Sequence, residues 1–288
     1  MLRHPVPTNP ARPESCLTAD LLYLNFSSPD PRRLAEFYTR VMGYGFTEQD
    51  SMQVGRAPGR NILFSPGKAK TLAEAGYAVA DAGQLERLRD RIRAAGVAHE
   101  NGPTLMFADA VRVQDPDSNR FAFGLPKDPP VVAEETLTAR MQHLVMASRN
   151  PEPIVRFFTD VLGFTLSDDV LDEEGGVRTS FVRSSHEHHS FAVFLAPEDR
   201  LDHHCYETDD WNMIRDWSDH MADQHVRLVW GPGRHGPGDN LFIFVHDPDG
   251  NWVEVSAELE TVNHERPAGK WPHSERTLNS WGQGFMRS

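Results

Sequence analysis

Hydrophobic residues along the chain change twice from an alternating pattern to a helical one. Alternation runs from residue 20 to 26 and again from 141 to 147, and apolar residues three and four positions apart follow each run. Alternation predicts a strand with one buried face, and the longer period predicts an amphipathic helix. The helical positions are Leu34, Phe37 and Val41, and then Ile154, Phe157 and Val161. The same strand–helix unit is therefore predicted at two places.

These units belong to a longer internal repeat. The segment beginning at Tyr23 realigns without a gap on the segment beginning at His143, and DPDSNRFAF later realigns on DPDGNWVEV. In each copy an Asp-Pro or Asn-Pro pair predicts the start of the helix, and a glycine predicts its end. Three more strands, with a second helix among them, give each copy the order β-α-β-β-(α)-β. The pattern predicts an α+β fold of two tandem modules.

Composition and charge narrow the class of partners. A formal net charge of -13 argues against nucleic acid, which needs a basic face. No apolar run approaches the roughly 20 residues of a membrane span, and the proline-rich N-terminus lacks the apolar core of a signal peptide. Cys16 and Cys205 lie too far apart in sequence to suggest a disulfide framework. We expect a cytoplasmic protein with two domains of ordinary size.

The second copy of the repeat carries metal-ligand residue types that the first lacks. His143, His203 and Glu254 occupy three of its strands. The repeat aligns these positions with Tyr23, Gly76 and Ala122, in that order. Two histidines and one carboxylate form the facial triad of non-haem Fe(II) enzymes, which leaves about three coordination positions open. The sequence therefore predicts one metal site, in the second module.

Strand periodicity and burial support this assignment. His203 and His204 are adjacent and must point to opposite faces, so only one of them can be a ligand. Aligning Gly76 and Tyr77 with His203 and His204 favours His203. Glu254 lies between two valines, where a charge without a partner is costly to bury and a cation is a suitable partner.

Each residue also has an ordinary structural interpretation. His143 alone could be a hydrogen-bonded core histidine, and His204 is expected to have a structural role. Isolated loop histidines such as His235 are usually solvated, but its position beside the metal strands favours function. Cys205 is expected to be a small buried hydrophobic residue rather than a nucleophile.

With these residues the chain resembles the vicinal-oxygen-chelate superfamily, and within it the two-domain type I extradiol dioxygenases. The resemblance covers about residues 20 to 256. Three motifs carry it: MQHLVMAS around His143, LDHHCYE around His203, and RHG followed by HDPDGNWVEV around Glu254. It implies that each module is a pair of βαβββ units in a curved mixed sheet.

The resemblance also implies a chemistry. It implies Fe(II), with Mn(II) left open, and a small aromatic diol and O₂ as substrates of a homo-oligomeric enzyme. The residue matching His189 assists O₂ activation and proton transfer in that family, and the residue matching His235 hydrogen-bonds the bound catechol. His188, next to His189, is a further candidate for substrate binding.

One position departs from the family. A tyrosine usually stands ten residues before the ligand glutamate, close to the substrate hydroxyl, and this chain has Phe244 there. His246, two residues on, is a candidate to replace it. The departure predicts poor handling of plain catechol and a preference for a bulkier or more acidic diol.

The resulting domain assignment is an extension (1–18), a metal-free module (19–125), a linker (126–138), a catalytic module (139–258) and a tail (259–288) whose role the sequence does not indicate. Three other functions stay open: a glyoxalase-like isomerase or lyase, a thiol transferase, and a metal-free binding module. The glyoxalase type commonly draws its metal site from both modules, so the empty first copy disfavours it.

Overall fold

The computed structural model describes residues 16–129, 131 and 137–286. Most of the predicted N-terminal extension and part of the predicted linker lie outside these residues. The described chain forms two mixed β-sheets, of eight and nine strands. None of its helices is long and apolar enough to cross a membrane.

The first sheet and its helices form two consecutive βαβββ units. Their elements are β1 (Ala19–Ser28), α1 (Pro31–Met42), β2 (Gly45–Gln49), β3 (Met52–Ala57), β4 (Arg60–Pro66), β5 (Thr71–Val79), α2 (Ala82–Ala94), β6 (His99–Gly102), β7 (Phe107–Gln114) and β8 (Arg120–Pro126). The hydrophobic pattern predicted fewer strands because β2 and β6 bury almost none of their side chains and so show no apolar alternation.

The second sheet repeats this order and adds one strand from the tail. Its elements are β9 (Arg140–Ser148), α3 (Pro151–Arg156) with a π-helical continuation (Phe157–Leu162), β10 (Thr165–Leu171), β11 (Val177–Arg183), β12 (Phe191–Leu195), β13 (Arg200–Thr208), α4 (Trp211–Asp223), β14 (Trp230–Arg234), β15 (Leu241–His246), β16 (Trp252–Ala257), β17 (Gly269–Pro272) and α5 (Glu275–Leu278). The implied pair of βαβββ units in each module is confirmed.

Both sheets are built around an equivalent antiparallel pair. Strand β1 pairs with β5, and β9 pairs with β13, with two register shifts in each pair. Parallel neighbours then flank the central strands: β4 and β8 in the first sheet, β12 and β16 in the second. The two modules therefore share strand pairing as well as element order.

The predicted helix ends agree with the structure, except for one side-chain cap. The side chain of Asp30 accepts a hydrogen bond from the Arg33 amide (3.1 Å), whereas Asn150 makes no side-chain cap bond. Gly43 and Gly163 end their helices with φ of 72° and 88°, in the left-handed region that glycine adopts without strain.

One hydrophobic core runs through both modules and joins α1 and α2 to the helices of the second sheet. Polar groups in the contact are paired. The Tyr44 hydroxyl donates to the Tyr206 hydroxyl (3.1 Å), and the Tyr77 hydroxyl donates to the Ser190 carbonyl (3.0 Å). The buried Arg60 guanidinium donates to the Ala139 carbonyl across the same boundary. The helical faces of the two sheets thus pack on each other.

The tail continues the second sheet. Strand β17 pairs in parallel with β10 at the edge of that sheet, and α5 returns toward β14. The Trp271 indole donates to the buried carboxylate of Asp168 (2.7 Å), and the Gly236 amide donates to the Thr277 carbonyl (2.9 Å). The tail is thereby held against both edges of the nine-stranded sheet, at β10 and near β14.

Candidate metal centre

Three neighbouring strands bring the predicted ligands to one face of the second sheet. Cys205 on β13 lies opposite His143 on β9 and opposite Glu254 on β16, so the three side chains share a face. His203 lies two residues before Cys205 and points the same way. The Nε2 atoms of His143 and His203 are each 3.2 Å from Glu254 Oε2, and all three side chains are buried.

The hydrogen bonds of His143 determine which of its nitrogens carries the proton. The Gln142 amide nitrogen donates to the His189 carbonyl (2.7 Å), which fixes the orientation of that amide. Its oxygen therefore faces His143 Nδ1 and accepts a hydrogen bond from it. The neutral imidazole then carries a lone pair on Nε2, the atom that faces Glu254.

His203 is held in the same way by a carboxylate. Its Nδ1 donates to Asp202 Oδ2 (2.7 Å), and Asp202 is paired with the Arg200 guanidinium (2.8 Å). The lone pair of His203 Nε2 thus also faces Glu254. Such outer partners orient the ligand histidines of metal sites and increase their basicity.

Burial and the charges that His143, His203 and Glu254 (the trio) exert on one another determine how these three residues ionise. Burial raises the pKa of Glu254, but the imidazoles of His143, His203 and His235, which stabilise the carboxylate when they are protonated, outweigh it and hold the pKa well below its usual range. Burial lowers the pKa of His143 despite the nearby carboxylate. For His203, burial is outweighed by Asp202 and Glu254, and its pKa is raised. The centre therefore holds an ionised carboxylate in the protein interior.

Cys205 lies beside the trio. One ligand atom each from Cys205, His143 and Glu254 lie within 4.8 Å of one another. Burial, followed by the charges of Glu254 and Glu207, raises the pKa of the thiol well above its usual value. The neutral thiol donates to the Ser256 hydroxyl (3.2 Å). Because the thiolate is the form that binds metal, Cys205 is a weaker ligand candidate than His203.

The trio lies in the wall of a cavity of about 90 Å³. Aliphatic and aromatic side chains form most of its surface, and every described residue that lines it belongs to the second module or the tail. The lining residues are His143, Val145, Val170, Thr179, Phe181, His189, Ala192, Phe194, Asp202, His203, Trp230, His235, Pro237, Asn240, Phe244, Glu254, Thr277, Leu278 and Phe285.

Two more of the predicted histidines line this cavity. The His189 ring lies 4.4 Å from the His143 ring, centroid to centroid, and burial lowers its pKa well below the usual value. His235 donates from Nδ1 to the Leu278 carbonyl (2.5 Å), which leaves Nε2 with a lone pair 3.6 Å from Glu254 Oε1. Both side chains can therefore act as proton acceptors toward the cavity.

Phe244 faces the cavity, whereas His188 and His246 lie outside its lining. Phe244 packs edge-on against the His203 ring at 5.2 Å. His188 stands behind His189, with its Nδ1 3.0 Å from His189 Nδ1 and its Nε2 3.0 Å from Asp168, a position that favours a role in holding His189 over the predicted contact with substrate. His246 is exposed at the end of β15 and packs on Trp252, because two residues of strand rise, about 7 Å, carry it past the cavity.

Comparison with known proteins places these features in a family. The model of the Glyoxalase/Bleomycin resistance protein/Dioxygenase superfamily matches residues 21–123 and 140–255. The chain belongs to this superfamily. The two matched segments correspond to the two sheets, and the superfamily assignment made from the motifs is confirmed.

Relatives of this chain within the superfamily include dioxygenases. The chain is 26% identical to biphenyl-2,3-diol 1,2-dioxygenase of Paraburkholderia xenovorans over 290 residues, covering 87% of this chain and 93% of the relative. It is 24% identical to an iron-dependent extradiol dioxygenase of Rhodococcus jostii, covering 92% and 96%. A variant of homoprotocatechuate 2,3-dioxygenase from B. fuscum has the same fold, with a TM-score of 0.82 at 20% identity over 95% of this chain and 81% of that one.

At one strand the structure corrects the alignment between the two copies of the internal repeat. Tyr23 pairs with Gly76 where His143 pairs with Cys205, so Gly76 corresponds to Cys205. By the same register, Glu74 stands at the position of His203. The prediction that the first module has no ligand-type residue at these positions is therefore wrong for Glu74.

Several residues that help to form the candidate metal centre and its cavity were not predicted from the sequence. Gln142 and Asp202 are adjacent in sequence to the histidines they orient, which is a usable signal. The tail residues Leu278 and Phe285 line the cavity although the tail has no periodic pattern. Its tryptophans were the only indication, because indole rings in a polar segment usually need a surface to pack on.

Proposed function

We propose that this protein is an Fe(II)-dependent extradiol dioxygenase that cleaves a catechol-type diol with O₂, beside the two hydroxyl groups. His143, His203 and Glu254 would hold the metal, on one wall of the cavity. The observation that carries the proposal is the convergence of two imidazole nitrogens on one carboxylate oxygen beside two further histidines. The relatives named above support the same reaction class.

The donor set fits a divalent cation. Glu254 Oε2 is buried and accepts no hydrogen bond among the described residues, although two imidazole nitrogens lie 3.2 Å away. Those nitrogens turn lone pairs toward it, because their protons are on the Nδ1 side. Three lone-pair donors facing each other repel unless a cation lies between them. Two histidines and one carboxylate suit Fe(II), and similar ligands suit Mn(II).

Held by His143, His203 and Glu254, Fe(II) would supply open coordination positions for the diol and O₂ and the redox chemistry between them. The protein would supply the proton transfers and the orientation. His235 presents the lone pair of Nε2 to the cavity and can accept the proton of a diol hydroxyl. His189, above the His143 ring, can hold a proton and return it during cleavage.

Phe244 limits which diols the site can orient and deprotonate. It has no donor or acceptor, so it cannot orient or deprotonate the diol as a tyrosine would. His246 lies outside the cavity and cannot replace it, which leaves His235 as the candidate base on this side. A diol with a lower first pKa than catechol would make that step easier.

The glyoxalase-like alternative is less well supported. Its metal site commonly uses both modules, whereas every described residue that lines this cavity belongs to the second module or the tail. A cytoplasmic location and a homo-oligomeric state stay predictions.

Oxygen consumption tests the proposed function directly. The full chain would be loaded anaerobically with Fe(II) and mixed with O₂ and a panel of catechols. We expect one O₂ consumed per diol, with both atoms of ¹⁸O₂ in the ring-opened product. Metal binding without oxygen uptake for any diol, together with isomerisation of a thiol adduct of an aldehyde, would favour the glyoxalase-like alternative.

A further inference from the structure

The two long walls of the cavity are aromatic. On one side Phe181 lies 5.0 Å from the His189 ring, and Phe194 continues the wall along β12. On the other side Phe244 lies 5.2 Å from the His203 ring and stacks with Trp230, also at 5.2 Å. Rings therefore begin next to the candidate metal ligands and extend away from them on both sides.

The tail completes the second of these walls. Phe285 packs edge-on against Trp230 at 5.4 Å, and Leu278 lines the cavity from α5. The series His203, Phe244, Trp230 and Phe285 thus runs from the metal centre to the tail in steps of about 5 Å. A diol bound at the metal would place between these rings a substituent that points away from the metal.

The charges around the cavity favour an uncharged substituent. None of the described residues that line it is a lysine or an arginine, while the carboxylates of Asp202 and Glu254 do line it. Two arginines lie behind the walls, and each is ion-paired: Arg200 with Asp202 (2.8 Å) and Arg234 with Glu258 (2.6 Å). A carboxylate on the substrate would lose its water here without gaining a cation.

We propose that the substrate is a vicinal diol with an uncharged aryl or comparably bulky apolar substituent, and that the aromatic walls exclude diols with a carboxylate side chain. Phe285 is the specificity-determining residue on the tail. This inference rests on the proposed function, because the diol end must be held at the metal. It adds the class of substituent, which the metal ligands themselves do not determine.

Competing diols test the inference. The Fe(II)-loaded full chain would be assayed with 3-phenylcatechol and with 3-(2-carboxyethyl)catechol, and anaerobic dissociation constants would be measured for both. We expect kcat/KM for the phenyl compound to exceed that for the carboxylate by at least about 10²-fold, because the site leaves the carboxylate unpaired. A ratio near one, or a preference for the carboxylate, would overturn the inference.

A charge placed on the tail makes the test sharper. Phe285→Lys should lower the ratio by about tenfold or more, because it removes a ring and supplies a cation. Met286→Lys is the matched control, since Met286 is about as exposed as Phe285 (40% against 37%) but does not line the cavity, and it should leave the ratio unchanged. Equal effects of both variants would contradict a role for Phe285.

The two hypotheses fail in different ways. If no diol consumes O₂, the proposed function is wrong, and the ratio of anaerobic dissociation constants still decides whether the cavity selects an apolar substituent. If both diols are cleaved equally well, the proposed function stands and the inference fails.

Discussion

In the first module, Tyr23, Glu74 and Ala122 occupy the positions that His143, His203 and Glu254 occupy in the second. The Tyr23 hydroxyl donates to Glu74 (2.5 Å), so this half-buried carboxylate is satisfied without a cation. Burial and the charge of Glu74 raise the pKa of Tyr23 well above its usual value, which keeps the phenol protonated and able to donate.

The two modules also differ in how much space they leave. The Tyr23 ring lies over Gly76, where an added Cβ would come within 1.9 Å of a ring carbon. In the second module Cys205 and the smaller imidazole of His143 replace this pair, and the cavity lies above them. The same strand register therefore gives a closed tyrosine–carboxylate pair in one module and an open donor set in the other. Side-chain volume decides between them.

The largest effect should come from removing the carboxylate of the open donor set. Glu254→Ala is expected to lose bound metal and to reduce oxygen uptake to background, because two imidazoles alone hold a divalent ion weakly. Metal analysis and oxygen uptake of the purified variant check this. Glu74→Ala is the matched control in the first module and should keep both. Stoichiometric metal in Glu254→Ala would refute the ligand assignment.

His189 distinguishes proton transfer from metal binding. His189→Ala should keep metal and diol binding while turnover falls on the order of 10²-fold or more, because the proton carrier is lost. Stopped-flow turnover and anaerobic diol titration separate the two. The exposed His186 provides the control, and His186→Ala should turn over normally. Normal turnover in His189→Ala would show that His189 is not the acid–base group of the site.

The residues behind the ligands should have a smaller effect. Asp202 orients His203, and its register counterpart in the first module is Ala73. Asp202→Ala should weaken metal affinity by about 10–100-fold, with turnover largely retained at saturating metal. Titration with Fe(II) under anaerobic conditions measures the affinity. The surface variant Asp199→Ala should not change it, and an unchanged affinity in Asp202→Ala would show that His203 does not need this partner.

The closed pair in the first module can be broken sterically. Gly76→Ala should lower the free energy of unfolding by about 1–3 kcal/mol, because the new methyl group must displace the Tyr23 ring. Denaturant unfolding measures the change. Gly45→Ala is the control, since its nearest contact is at 3.8 Å and its φ needs no glycine. If Gly76→Ala is as stable as Gly45→Ala, the position of the Tyr23 ring does not require a glycine at residue 76.

The smallest expected effect concerns Phe244. Phe244→Tyr should increase catechol turnover severalfold and shift its pH optimum downward, because a phenol adds a hydrogen-bonding partner for the diol. The pH–rate profiles of both proteins, on catechol and on a nitro-substituted catechol, check this. Identical profiles would make Phe244 a packing residue only.

Much of this arrangement could be predicted from the sequence. The repeat predicted β1 and β9 and the helices α1 and α3 that follow them. Because Tyr23 stands in the first module where His143 stands in the second, the sequence also indicated which module carries the site. The alignment failed by two residues at Gly76, because positions i and i+2 of a strand face the same way and apolar alternation cannot distinguish them. Register shifts beside His203 and Cys205 add to this ambiguity.

Other parts of the site could not be predicted. Strand parity correctly placed His246 on the face of Phe244, but it gives no information about where the cavity ends. The contacts of the tail depend on the edge of β10 being open, which is a property of the finished sheet. Trp271 reaches Asp168 only because of that pairing, and no local sequence pattern indicates it.

The hydrophobic core that crosses both modules has a thermodynamic consequence. Leu34 and Tyr38 of the first module and Met146 and Tyr206 of the second belong to one buried cluster, so neither sheet has an inner layer of its own. The chain should therefore melt in a single calorimetric transition whose van't Hoff and calorimetric enthalpies agree. The first module, which lacks the donor set, would then stabilise the second. Its folding free energy would help to hold the imidazoles of His143 and His203 in place.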